Sequence, residues 1–134
     1  MTKITEIVKI DDRGRIVIPG SARKVMSLVP NTKLLMTVDE NEITLVPFLG
    51  TDSDPIRIRI KFSDERGSLA KIATKISELG INLLVGEAHF IRKGLFAEWN
   101  LIADLSTMDE PKTLEEISEK IKENGALEVE FQKF

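Results

Sequence analysis

The clearest pattern in the chain is an alternation of apolar and basic positions at residues 56–62. Every second residue is apolar and the residues between them are basic, in the run Ile56-Arg57-Ile58-Arg59-Ile60-Lys61-Phe62. Successive side chains of a strand point to opposite faces, so this period predicts a strand with one buried and one solvated face. Apolar residues then recur at helical spacing from Leu69 to Leu79, which predicts a helix that ends at Gly80.

The rest of the C-terminal part continues this arrangement. Residues 82–90 and 95–105 are strand-like and flank a turn at residues 92–94, which predicts a hairpin. Apolar positions at helical spacing predict a second helix that starts near Pro111 and ends at Asn124-Gly125, and residues 127–131 alternate as a last strand. The predicted order is βαββαβ, an α+β arrangement of the ferredoxin-like kind.

The N-terminal part contains shorter elements. Residues 6–10 and 15–18 are strand-like and are separated by a turn at residues 11–14, and a helix of about two turns is predicted to open at Gly20-Ser21. Residues 33–38 and 42–46 are predicted to pair as a hairpin. A unit of this size without a metal or a disulfide buries too little apolar surface to be stable alone. We therefore expect it to fold as an intertwined dimer.

A segment rich in Gly, Ser, Asp and Pro, residues 48–55, separates the two parts. It predicts two domains, residues 1–50 and 55–134. No apolar run approaches the length of about 18 residues needed to cross a bilayer, and the first residues do not resemble a secretion signal. The expected location is therefore the cytoplasm.

Several kinds of chemistry are excluded by composition. The chain has no cysteine and one histidine, His89, so a thiol nucleophile and a site that needs two histidines are excluded. His89 and Glu87 share a strand face, and we interpret them as a polar pair rather than as metal ligands. Trp99 is expected in the core or at an interface. No nucleotide-binding loop or nucleophile motif is present, and we expect neither an enzyme, nor a metal site, nor a cofactor.

The charges are distributed unevenly along the chain. Residues 1–38 hold seven basic and three acidic residues, a net charge of +4, whereas the remaining residues hold 12 basic and 19 acidic residues, a net charge of −7. A basic front part carried by an acidic body favours contact with a polyanion. The alternative is that a short segment differs by a few charges without functional meaning.

The front part carries a motif that supports the first interpretation. The run Val8 to Pro19 contains a turn glycine, an arginine, three β-branched residues and a proline (Gly14-Arg15-Ile16-Val17-Ile18-Pro19), and Arg23-Lys24 follow. This resembles the AbrB-type (SpoVT-AbrB) swapped-hairpin DNA-binding domain over residues 3–48. The resemblance implies a β-barrel formed by two chains, with DNA contacts from Lys9, Arg13, Arg15, Arg23 and Lys24. The alternative is that Arg15 and Arg23 are solvated or pair with Asp11 and Asp12.

The second part carries two further motifs, Asp64-Glu65-Arg66-Gly67-Ser68-Leu69 and Gly80-Ile81-Asn82-Leu83. With these motifs, residues 56–134 resemble the ACT domain, a small regulatory fold that binds amino acids at dimer interfaces. The resemblance implies a ligand pocket against a neighbouring subunit, built from Asp64, Gly67, Ser68, Leu69 and Asn82. The alternatives are that Asp64 or Ser68 caps the helix, that Asn82 caps a strand, and that the module serves only dimerisation.

Together these features predict a DNA-binding transcriptional regulator that responds to a small amino acid-like molecule. The expected partners are double-stranded DNA, the effector and further copies of the chain, as a homodimer or homotetramer. An antitoxin-like interaction protein and a regulatory subunit of an enzyme are the alternatives.

Overall fold

The computed structural model describes residues 3–49, 52–92 and 94–134, without the side chains of residues 48 and 49. The chain divides into two compact units, Met1–Asp52 and Ser53–Phe134. This division lies within the segment 48–55. Gly50 and Thr51 of that segment, and Lys93 of the predicted hairpin turn, lie outside the described residues.

The N-terminal unit has one short helix and one hairpin. Helix α1 spans Gly20–Val25, and strands β1 (Lys33–Val38) and β2 (Ile43–Leu49) pair antiparallel. The strands predicted at residues 6–10 and 15–18 are absent from this chain, since no described strand pairs with either segment. A strand needs a neighbour to receive its backbone hydrogen bonds, and the apolar positions here lie open, with Ile7 100% and Val17 76% exposed.

The described part of the N-terminal unit has no buried core. None of the side chains described between residues 3 and 47 is buried. Many large apolar residues in this range are exposed: Ile7, Val8, Ile10, Ile16, Val17, Val25, Met26, Val29, Met36, Val38, Ile43 and Val46. A single chain therefore leaves much of the described apolar surface of this unit in contact with water. The barrel predicted for two chains is not formed within one chain.

The C-terminal unit is an antiparallel four-stranded sheet with two helices. Its elements are β3 (Pro55–Ser63), α2 (Ser68–Glu78), β4 (Asn82–Arg92), β5 (Phe96–Asp104), a 3₁₀ turn (Leu105–Thr107), α3 (Leu114–Glu123) and β6 (Ala126–Lys133). The strands lie in the order β4-β5-β3-β6. This is the ferredoxin-like α+β arrangement, and it confirms the predicted βαββαβ order.

One face of this sheet packs against both helices. The apolar side chains of β3 are buried, as their alternation predicted, and Trp99 lies in the same core. The core also contains residues of α2, α3 and β5: Ile72, Ile76, Ile117, Ile121, Ala97, Leu101 and Ala103. The opposite face carries Arg57, Arg59 and Lys61 and is covered by no helix of this unit.

Local signals define where the helices begin and end. At the end of α2, Gly80 has a φ of +80°, its N–H donates to the Ser77 carbonyl at 2.9 Å, and the Ile81 N–H donates to the Ile76 carbonyl at 3.3 Å. Together these two bonds form a Schellman motif. At the start of α3, the Thr113 hydroxyl accepts the Glu116 N–H at 3.1 Å. Within the described part of the chain, no helix is both long and apolar enough to cross a membrane.

Candidate functional site

The turn between the two strand-like segments of the N-terminal unit is organised by Asp11. Its Oδ1 accepts the backbone N–H of Arg13 and that of Arg15, each at 2.9 Å. The Asp11 N–H donates to the Arg15 carbonyl at 2.9 Å, and the Gly14 N–H donates to the Asp11 carbonyl at 3.0 Å. Gly14 has a φ of +76°, which only glycine adopts without strain. The bonds hold Arg13 and Arg15 on one ordered turn.

Asp11 also contacts the Arg15 side chain. The Arg15 Nε–H donates to Asp11 Oδ2 at 2.7 Å, so the pairing considered as the alternative for Arg15 is present. The Arg15 side chain nevertheless remains 67% exposed, and its terminal nitrogens can reach a ligand in solution. The backbone N–H of Arg15 and then its guanidinium lower the pKa of Asp11, because both favour the ionised carboxylate.

The other predicted DNA contacts lie before and after this turn. Lys9, Arg23 and Lys24 are exposed, and Arg23 and Lys24 occupy α1. The Arg23 Nε–H donates to the Ile18 carbonyl at 3.1 Å, which fixes this arginine beside the segment that follows the turn. All five predicted basic residues are therefore accessible, and two of them share one turn.

The predicted ligand-binding loop lies where β3 ends and α2 begins. Asp64 Oδ2 accepts the Gly94 N–H at 2.9 Å, and the Asp64 N–H donates to the Leu95 carbonyl at 3.0 Å. Gly67, with a φ of +85°, directly precedes Ser68 at the start of α2, and no side chain caps this helix. The alternative in which Asp64 or Ser68 caps α2 is therefore wrong. Asp64 instead fastens the loop to the turn of the β4–β5 hairpin.

Asn82 lies at the opposite end of the sheet. It pairs with Asp104 of β5, whereas Ser63, next to Asp64, pairs with Phe96. Eight residues of β5 separate these two levels, a distance of about 26 Å at 3.3 Å per residue. Within one chain, the structure brings Asp64, Gly67, Ser68 and Leu69 together but leaves Asn82 away from them.

A segment that the sequence patterns did not indicate holds Asn82 in place. The Thr107 hydroxyl accepts the Asn82 N–H at 3.0 Å and lies 2.7 Å from the Gly80 carbonyl. The same segment begins with Asp104, whose Oδ1 accepts the Asp54 N–H at 2.9 Å and the Ser106 hydroxyl at 2.7 Å. We call residues 104–107 the clamp segment. The sequence signal that could have indicated this segment was the group of polar residues at and just after the end of the buried strand β5.

Asp104 is ionised despite its burial. The residue is only 6% exposed. Burial raises its pKa, but hydrogen bonds from the Ser106 side chain, the Asp54 backbone, the Ser106 backbone and the Ser53 side chain outweigh burial and lower the pKa overall. The carboxylate therefore holds the start of the C-terminal unit as an anion.

The open face of the sheet carries a separate feature. A groove of about 400 Å³ is lined by residues that include Arg57, Arg59, Asn100 and Glu130, and Arg59 forms an ion pair with Glu130. None of the predicted ligand-binding residues lines this groove. The contact of His89 differs from the prediction, because its Nε2 lies 4.0 Å from Glu98 on the neighbouring strand rather than against Glu87. Residues i and i+2 share a face but lie farther apart than cross-strand neighbours.

Comparison with known proteins finds likeness to solved structures. No family model and no curated protein matches the chain. The crystal structure of the ACT domain from GTP pyrophosphokinase of Chlorobium tepidum is similar, with a TM-score of 0.48 and 21% identity over 60% of this chain and 99% of that chain. The C-terminal domain of MgtC from Mycobacterium tuberculosis has a TM-score of 0.47 and 14% identity over 73% of this chain and 94% of that chain. Neither comparison supports the predicted N-terminal AbrB-type domain.

Proposed function

We propose that the protein is a ligand-responsive DNA-binding transcriptional regulator. Two N-terminal units fold together into one DNA-binding head. The C-terminal units bind a small amino acid-like molecule between two chains, and its binding changes the affinity of the head for DNA. In this role the protein is regulatory rather than catalytic.

The observation that carries the proposal is the incomplete N-terminal unit with its ordered basic turn. None of the side chains described between residues 3 and 47 is buried, although the segments around the turn have the apolar spacing of strands. A second copy supplies neighbours for those segments and removes their apolar surface from water. The turn itself needs no partner, because Asp11 and Gly14 hold it within one chain.

The exposed basic residues suit a phosphate backbone. An arginine can donate two parallel hydrogen bonds to one phosphate, and a lysine supplies a compact positive charge. Arg13 and Arg15 lie on one turn, and a dimer presents two such turns. No aromatic residue occurs between residues 1 and 47, which favours duplex DNA over stacking on single-stranded bases.

The ligand site is supported by the uncapped start of α2. Backbone N–H groups in the first turn of a helix attract a carboxylate, and Gly67 allows close approach of a ligand to the backbone. Asn82 lies at one end of the exposed edge strand β4, and Arg92 lies at the other end, the end where the Asp64 loop is found. Antiparallel pairing of two β4 strands brings Asn82 of one chain toward the Asp64 loop of the other.

Fluorescence anisotropy with a random-sequence duplex at several salt concentrations tests the DNA-binding part. We expect the logarithm of the affinity to fall with the logarithm of the salt concentration, with a slope of about −0.9 for each phosphate contacted. Arg15→Ala should weaken binding about tenfold and reduce the slope. Arg66→Ala, which removes an exposed arginine from the C-terminal unit, is the control. An affinity that does not depend on salt would favour a protein partner instead.

Thermal unfolding with a panel of amino acids tests the ligand-binding part. A ligand that binds only the folded protein raises the unfolding temperature. Asn82→Ala should abolish this rise, whereas Asn100→Ala, which alters the groove on the open sheet face, should preserve it. If Asn100→Ala abolishes the rise and Asn82→Ala preserves it, the ligand binds in that groove and the site at Asn82 is rejected.

A further inference from the structure

The ion pair at the N-terminal turn creates a conflict of charges. Asp11 Oδ2 lies 2.7 Å from Arg15 Nε, and Arg15 is the residue proposed to contact a phosphate. A carboxylate at this place repels a phosphate and partly neutralises the arginine. On charge alone, Asp11 weakens DNA binding, and its removal should strengthen it.

We propose that Asp11 is a positioning residue that increases DNA affinity despite its negative charge. It holds the turn and the Arg15 side chain in the arrangement that meets the phosphate. This inference rests on the proposed DNA-binding function. It assigns Asp11 a role in DNA binding that Asp11 performs by holding Arg15.

The first support is that the two carboxylate oxygens have separate tasks. Oδ1 accepts the N–H groups of Arg13 and Arg15 and so determines the backbone of the turn. Oδ2 accepts only the Arg15 Nε–H among the described hydrogen bonds, and this bond contributes nothing to the backbone. It restricts the side chain of one arginine.

The second support is the choice of the arginine nitrogen. A guanidinium presents five N–H donors in a planar fork, and the bond to Asp11 engages the Nε–H. The two terminal nitrogens remain available for a bidentate contact with phosphate, and the side chain is 67% exposed. An arginine held in this way loses less conformational freedom when DNA binds than a freely rotating one.

The neighbouring acidic residue provides a matched comparison. Asp12 is exposed, and none of the hydrogen bonds described at the turn involves its carboxylate. Asp11 and Asp12 are adjacent residues of the turn and carry the same charge, but among the described contacts only Asp11 holds Arg15. If only charge matters, removal of either carboxylate changes DNA affinity in the same direction. If Asp11 positions Arg15, removal of the two carboxylates has opposite effects.

The experiment compares DNA affinity in Asp11→Asn, Asp11→Ala and Asp12→Asn by fluorescence anisotropy at several salt concentrations. Asp12→Asn should bind about twofold more tightly, because it removes a negative charge that repels the phosphate through water. Asp11→Asn keeps an oxygen for the two N–H groups but loses the acceptor for Nε, and it should bind about threefold more weakly than the parent chain. Asp11→Ala removes the acceptor of the two backbone N–H groups as well as that of the Arg15 Nε–H, and it should bind at least about tenfold more weakly.

A double-mutant cycle separates positioning from a loss of folding. Circular dichroism and sedimentation should show that Asp11→Asn keeps the fold and oligomeric state of the parent chain. Arg15→Ala should weaken binding about tenfold in the parent chain but only about threefold in the Asp11→Asn background, because Arg15 is no longer held there. The proposal is overturned if both Asp11 variants bind more tightly, as Asp12→Asn does, or if Arg15→Ala has the same effect in both backgrounds. If the parent chain has no salt-dependent affinity, the DNA-binding function fails as well.

Discussion

Removing the Asp104 carboxylate tests the clamp segment directly. Its Oδ1 accepts the Asp54 N–H at 2.9 Å, the Ser106 N–H at 3.0 Å and the Ser106 hydroxyl at 2.7 Å. A hydrogen bond to a charged group contributes about 1.5–3 kcal/mol, but bonds that share one acceptor are not additive and their donors regain some water. We therefore expect Asp104→Ala to lower the free energy of unfolding of the C-terminal unit by about 3 kcal/mol.

Trp99 makes this effect measurable in the full chain. It is the single tryptophan and lies 9% exposed in the core of the C-terminal unit, so its fluorescence reports unfolding of that unit. With a urea dependence of about 1.5 kcal/mol per M, a loss of about 3 kcal/mol lowers the unfolding midpoint by about 2 M. Asp109→Ala, which removes an exposed carboxylate from the following loop, should change the free energy by less than about 0.5 kcal/mol.

The pH dependence supplies a second check on Asp104. Its pKa in the folded protein lies below the ordinary value of 3.8, so the stabilising effect is complete above that value and is lost as the pH falls through the folded pKa. The difference in stability between the parent chain and Asp104→Asn should therefore be constant from pH 7 to about pH 5 and shrink below about pH 4. A midpoint of Asp104→Ala equal to that of the parent chain, or a difference that grows on acidification, would refute the reasoning.

Three further substitutions in the C-terminal unit have distinct physical causes and can be measured by the same urea unfolding. Gly86→Val should destabilise the unit by about 1–3 kcal/mol, because a Cβ at Gly86 lies 3.0 Å from the Trp99 Nε1. Thr107→Val should cost about 1–2 kcal/mol, since the Asn82 N–H loses its acceptor, and an unchanged midpoint would contradict this. Thr113→Ala should cost about 1 kcal/mol through loss of the α3 cap, and Thr113→Ser should restore most of it.

The fold of the C-terminal unit could be predicted because its burial is decided within one chain. The period of two at Ile56–Phe62 and the helical spacing of α2 both record contact with a core that these same residues form. Gly80 ended the predicted helix correctly, since the left-handed conformation it adopts there is a local requirement. Periodicity and local conformation were sufficient to predict the order of helices and strands in this unit.

In the N-terminal unit the same kind of pattern predicted strands that one chain does not contain. Residues 6–10 and 15–18 have apolar spacing, but all of their apolar side chains except the half-buried Ile18 lie exposed, and no described strand pairs with them. An apolar pattern alone does not make a strand, because a strand forms only where a neighbouring segment pairs with its backbone N–H and C=O groups. The hairpin β1–β2 was predicted correctly because its two strands are each other's partner.

The candidate sites show a different limit of sequence patterns. Asp104 and Thr107 hold segments that lie 50 and 25 residues earlier in the chain, at Asp54 and Asn82. Such side-chain bonds have no period, and the 3₁₀ turn that follows Asp104 and contains Thr107 is only three residues long. The separation of Asn82 from the Asp64 loop follows from strand direction and became visible only with the register of the sheet.

Both proposed sites are incomplete in a single chain. The N-terminal unit lacks a buried residue in its described part, and Asn82 lies about 26 Å from the loop with which it would share a ligand. In the function we propose, one event, the association of two chains, completes the DNA-binding head and brings the two halves of the ligand site together. A ligand that binds one arrangement of the paired chains about 1.4 kcal/mol more favourably than another can then change DNA affinity about tenfold. By the same linkage, DNA must change the affinity for the ligand by the same factor, so ligand binding measured with and without duplex DNA tests the coupling from either side.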